Sequence, residues 1–118
     1  MSRIRVVERI DPKQVVRRVA ALGLDLRAVA SCLAVHPKTI ERWLDGRAEP
    51  GDAAVRSLEK LDGICQHAKK LLKPSACRKW FSAPAPTLGG EAPIALIRRG
   101  DLDQVRNVLG MLEWGIYS

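Results

Sequence analysis

The chain has 118 residues, of which 47% are hydrophobic and 28% charged, a globular composition that excludes wholesale disorder and allows one or two small domains. Residues 1–73 carry 15 Lys/Arg against 9 Asp/Glu, and residues 74–118 carry 5 against 4, so the net charge of +7 sits almost wholly in the first part. That imbalance suits a polyanion such as DNA, whose neutralised phosphates release counterions, although cations also simply keep helices soluble.

The opening stretch MSRIRVVERIDPK alternates charged and apolar residues, which cannot supply the apolar core of a signal peptide, and no run approaches membrane-spanning length. Cys32, Cys65 and Cys77 are odd in number and form no Cys-x-x-Cys pair. Reduced, buried thiols in a soluble cytoplasmic protein are the expectation. Ile4–Val6 is the one stretch that reads as able to extend and pair in a dimer.

Helix boundaries are legible from Asp11 onward. Asp11 is a good N-cap, Pro12 occupies the first helical position and Gln14 is placed for a capping box. Val15, Val16, Val19 and Leu22 then form a helical stripe that stops at Gly23. A second helix runs from Asp25 to about Leu33, and a third starts at His36-Pro37 and stops at Gly46. A loop over 47–51 precedes a longer helix from Asp52 to about Leu72, with Val55, Leu58, Leu61, Cys65, Ala68 and Leu72 on one face and Gly63 inside it. Pro74 starts a short helix carrying Trp80 and Phe81, both expected in the core. Residues 82–90 read as an ordered connection, and the Gly89-Gly90 pair as a tight turn rather than a phosphate cradle, because no Lys-Ser/Thr follows. A short helix over Pro93–Arg99 ends at Gly100. Asp101 caps the last helix, with Gln104 placed to complete a capping box and Leu102, Val105, Leu109 and Leu112 on one side. The fold class is therefore all-α.

Residues 26–46, LRAVASCLAVHPKTIERWLDG, have the pattern of a helix-turn-helix. Ala30 is small where the helices cross; Val29, Leu33, Val35, Ile40 and Trp43 lock the pair; Ala34-Val35-His36 makes the turn. The segment resembles the Xre/Cro-like family in Val29-Ala30, Leu33-Ala34-Val35, Thr39-Ile40, Arg42-Trp43, Gly46 and Pro50. That family often has glycine in the turn, so Ala34 predicts some backbone strain. The resemblance implies that the helix from Pro37 to Asp45 enters a major groove. Lys38 and Arg42 would donate to guanine edges or phosphates, Thr39 to a phosphate, and Glu41 would accept from cytosine, with Arg27 and Arg47 flanking on the backbone. Glu41 and Asp45 on the same face favour the competing view that the pair only packs or dimerises.

The C-terminal segment is similar to the toxin-binding domain of the Xre/MbcA/ParS antitoxins. The likeness rests on Trp80-Phe81, Pro84, Pro86, Leu88-Gly89-Gly90, Pro93, Leu96-Ile97, Gly100, Val105, Leu109, Leu112, Glu113, Gly115 and Tyr117. It implies a partner: a RES-domain toxin, an ADP-ribosyltransferase-like enzyme that destroys NAD, whose active-site entrance the antitoxin covers with its C-terminal end. Here that end is Trp114, Gly115, Ile116, Tyr117 and Ser118, with Arg98, Arg99 and Arg106 at the rim. Trp114 also reads as a core residue closing the last helix against Leu109 and Trp80. The implied organisation is a DNA-binding module over residues 1–50, a connecting or dimerising helix over 51–73 and a toxin-binding domain over 74–118. Binding to the operon's own promoter, as a dimer or a higher assembly with the toxin, follows from the two resemblances together. The rival is a stand-alone transcription regulator whose second domain only dimerises.

Catalysis is not expected, because no nucleophile sits with a base in a recognisable arrangement. Cys65, His67 and Cys77 match no common zinc spacing and lack a fourth ligand, so neither a metal nor another cofactor is expected.

Overall fold

The structure, a computed structural model, describes residues 10–115. The proposed extended stretch Ile4–Val6 lies outside them, as do Ile116, Tyr117 and Ser118. The described residues form seven α-helices: α1 (Pro12–Ala21), α2 (Leu26–Leu33), α3 (Pro37–Leu44), α4 (Asp52–Leu71), α5 (Pro74–Ser82), α6 (Pro93–Arg98) and α7 (Leu102–Glu113). No helix among them is long and apolar enough to cross a membrane.

The caps follow from side-chain chemistry. Asp11 accepts from the Lys13 amide at 3.0 Å and Asp25 from the Ala28 amide at 2.9 Å. His36 caps α3, its Nδ1 accepting from the Lys38 amide at 3.0 Å. Each bond satisfies one of the amides that a helix start leaves without a partner. The capping box expected at Asp101 takes another form: its carboxylate accepts from the Gln104 side chain and reaches no backbone amide.

Four helices stop by one device. At α1, α2, α3 and α6 a left-handed residue lets the next amide bond back five residues, as in Val35 N–H to Ala30 O at 3.0 Å and Asp101 N–H to Leu96 O at 2.9 Å. Gly23, Gly46 and Gly100 fill that position in three of them, and Ala34, at φ +58°, fills it in α2. The strain expected at the α2–α3 turn is therefore present, and the turn closes in spite of it.

The core is a single cluster running through all seven helices. Along α4, Leu58, Leu61, Ile64, Cys65 and Ala68 are buried. α1, α2, α5 and α7 all pack on this helix. Gly63 lies on its exposed side and leaves it unbroken. α6 packs between α2 and α7, where the Ser31 hydroxyl donates to Arg98 O at 2.7 Å. Phe81 is buried and Trp80 half-buried, the two rings meeting edge to face at 5.1 Å. All three cysteines are reduced and buried; burial pushes the Cys32 thiol up to about 11 and the Cys65 thiol up to about 12. Neutral, solvent-excluded thiols of this kind serve packing, not reactivity.

The two left-handed positions next to this packing should respond oppositely to substitution. Ala34→Gly relieves a left-handed alanine and should raise stability by about 0.5–1 kcal/mol. Gly100→Ala places a Cβ 3.1 Å from Cys32 O at φ +81° and should lower stability by more than about 1 kcal/mol. Denaturant midpoints of the two variants check both signs; a loss of stability at Ala34→Gly contradicts the strain.

Candidate protein- and nucleic-acid-binding surfaces

The N-terminal candidate residues gather at the start of α3. An open groove of about 640 Å3 between the beginnings of α2 and α3 is lined by Asp25, Leu26, Arg27, His36, Pro37, Lys38 and Glu41. Arg27, Lys38 and Glu41 are thus brought together, and Arg42, exposed one turn beyond Lys38, continues the same helical face. Thr39 is half-buried. Arg47 lies past the other end of α3, its Nη2 2.8 Å from Asp45 Oδ2 in an exposed pair worth little by itself. Ile40 and Trp43 point into the core, which fixes the outward face of the helix.

The C-terminal candidates divide differently. Arg99 grips Glu91 with both nitrogens, at 2.9 and 2.8 Å, and this pairing holds the Glu91 carboxyl below its usual range. It ties α6 to the connection that follows α5. Arg98 and Arg106 are exposed and join no ion pair among the described residues.

α7 lies alongside α4 in the same direction, with Lys60 3.5 Å from Asp103 near its start and His67 Nε2 2.7 Å from Glu113 Oε1 in its last turn. The second pair pins the end of the helix. Trp114 follows immediately and is 79% exposed, which removes the core reading of this residue. Met111, one turn earlier, is 39% exposed. These two are the exposed large hydrophobic residues of the described chain, and they stand one helical turn apart. Gly115 follows with φ +73°.

Sequence reasoning passed over Met111 and the His67–Glu113 pair. Met111 was recoverable, because it falls off the Val105–Leu109 stripe and three residues before Trp114. The pair was not, since its members are 46 positions apart. The conceivable metal set is dispersed: His67 faces Glu113, whereas the Cys77 thiol donates to Ala68 O and Leu72 O. Among the described residues no group of three or more His, Cys, Asp or Glu is placed to hold a metal ion.

The architecture is that of an all-α protein with a cationic helix pair near one end of the chain and an exposed apolar residue pair at the other. Residues 72–115 match the family model of the antitoxin Xre/MbcA/ParS C-terminal toxin-binding domain. That stretch, fewer than half of the residues, is thus similar to the toxin-binding domain of these antitoxins. The fold is also similar to a chain in the crystal structure of the M. tuberculosis MbcT–MbcA toxin–antitoxin complex, with a TM-score of 0.70 and 20% sequence identity. That similarity covers 91% of this chain and 96% of the other. No curated protein sequence matches significantly.

The exposure of Trp114 has a measurable consequence for the isolated protein. Trp114→Ala should change stability by no more than about 0.5 kcal/mol, the range of surface substitutions, whereas a core tryptophan would cost about 3–5 kcal/mol. A denaturant midpoint showing the larger loss contradicts the placement.

Proposed function

We propose that this chain is a cytoplasmic antitoxin that binds a RES-domain, NAD-degrading toxin and covers its active site with the C-terminal end. The observation that carries the reading is Trp114: an exposed tryptophan pinned at the end of α7, inside a stretch that matches a toxin-binding domain. Burying most of that side chain in a partner contributes about 4 kcal/mol before association costs, enough to make it a dominant contact. Met111 widens the apolar patch. In the sequence an isoleucine and a tyrosine follow at positions 116 and 117, residue types that suit the same kind of contact. Arg98 and Arg106 serve as rim charges that speed encounter, while Arg99, engaged by Glu91, braces the surface.

The same reading gives residues 1–50 the task of binding the operon's own promoter, residues 51–73 that of connection and residues 74–118 that of toxin capture. Support for DNA binding is the groove that collects Arg27, Lys38 and Glu41 beside Arg42, on a helix whose other face is locked in the core. Two copies on a symmetric operator make a dimer or a larger assembly with toxin the working form. No cofactor and no catalytic role belong to this reading.

Co-expression with a candidate RES-domain toxin, followed by an NAD-consumption assay and a promoter gel shift, separates the two tasks. Deleting residues 114–118 should leave a folded chain that still shifts promoter DNA but no longer protects NAD. Lys38→Ala with Arg42→Ala should weaken promoter binding about tenfold or more, and lower its salt slope by about two, with NAD protection intact. Full protection by the truncated chain contradicts occlusion by the tail. A wild-type gel shift from the double variant removes α3 from the DNA interface, and failure of the intact chain to protect NAD favours the stand-alone regulator.

A further inference from the structure

We propose that the adjoining ends of α1, α4 and α5 form a second polyanion-binding surface, one that holds a phosphodiester backbone without reading sequence. Residues 63–90 contain Lys69, Lys70, Lys73, Arg78 and Lys79 and not one Asp or Glu. All five cations are exposed, and none joins an ion pair among the described residues.

The fold gathers them. α1 and α4 run side by side in the same direction, with Arg18 Nε 2.7 Å from the largely buried Asp62 carboxylate, so their C-terminal ends coincide. Arg18, Gln66, Lys69 and Lys70 line one depression of about 270 Å3 there. α5 joins the same end: the Cys77 thiol donates to Ala68 O and Leu72 O, and Arg78 Nη1 donates to Ala21 O at 3.3 Å. Lys69 and Arg78 both stand close enough to Cys77 to pull its thiol down against the upward push of burial. On the other flank of α1, Lys13 and Arg17 line a groove with Val16 and Leu44, carrying the cations toward α3.

Helix dipoles explain only part of this. Lys69, Lys70 and Lys79 occupy last turns, where cations are favoured. Lys73 does not: it stands at the N-terminal end of α5, where the dipole opposes it. A protein partner is the poorer fit, because protein interfaces centre on apolar anchors and are depleted in lysine, and the exposed apolar pair of this chain lies on α7. Flexible, unpaired lysines without an anchor are instead what sequence-independent phosphate contacts use. The surface does not depend on α3 reading DNA.

The test titrates the full chain with a duplex of random sequence across a salt series. Lys69→Gln, Lys70→Gln and Lys73→Gln together should lower the slope of log K against log salt by about two to three and weaken low-salt binding at least tenfold. The corresponding triple change to Arg should bind like the parent, and Lys38→Ala with Arg42→Ala should retain the residual sequence-independent binding through this surface. If the Gln set melts early, Lys73→Gln alone should still lower the slope by about one. A parental slope in the Gln variants, or failure of the Arg set to restore it, overturns the proposal. Loss of NAD protection with duplex binding unchanged assigns the surface to a protein partner and overturns it equally; failure of promoter recognition at α3 leaves these outcomes readable.

Discussion

Everything in this fold leans on one buried face of α4. The other helices have six to twelve residues, lengths at which an isolated helix is marginal in water. Four of them persist because α4 gives them Leu58, Leu61, Ile64, Cys65 and Ala68 to pack on, and α3 and α6 pack on those four in turn. α1 and α2 reach that helix from the N-terminal part and α5 and α7 from the C-terminal part. The core is therefore continuous across the boundaries at 50/51 and 73/74 that the sequence suggests for its modules. The groove at the start of α3 and the exposed end of α7 are held by one continuous core, with Ser31–Arg98, Lys60–Asp103 and His67–Glu113 as polar ties across it.

The surface separates two kinds of chemistry. Unpaired cations gather where α1, α4 and α5 adjoin, the groove at the start of α3 mixes Arg27 and Lys38 with Asp25 and Glu41, and large exposed apolar side chains occur at the end of α7. Long-range charge attracts polyanions with little demand on geometry, whereas an exposed tryptophan gains only from close complementary packing.

Much of the architecture was legible in the sequence because its punctuation is local. Asp11, Asp25 and His36-Pro37 start helices, and Gly23, Gly46 and Gly100 stop them, through bonds that span two to five residues. The strain at Ala34 was legible for the same reason. What escaped depends on distance along the chain. Asp62 reads as a solvent-facing acid and is in fact buried against Arg18, 44 positions away. Val108 completes the buried stripe of α7, whereas Leu112, in its last turn, is only half-buried. The burial of Trp114 was undecidable from spacing, because Leu109 and Trp80 are equally available on paper; only the packed fold shows their side chains occupied elsewhere. The outward placement of Lys38, Glu41 and Arg42 on α3 was readable from the helical period, whereas the Glu91 clamp on Arg99 and the His67 pin were not.

The central claim is that the end of α7 is a docking point already in place before the partner arrives. Hydroxyl-radical footprinting of Trp114 and Met111, with and without the cognate toxin, tests it most directly. The account predicts rapid oxidation of both side chains in the free protein and strong protection of both in the complex. Equal oxidation of both in free and bound protein would contradict it.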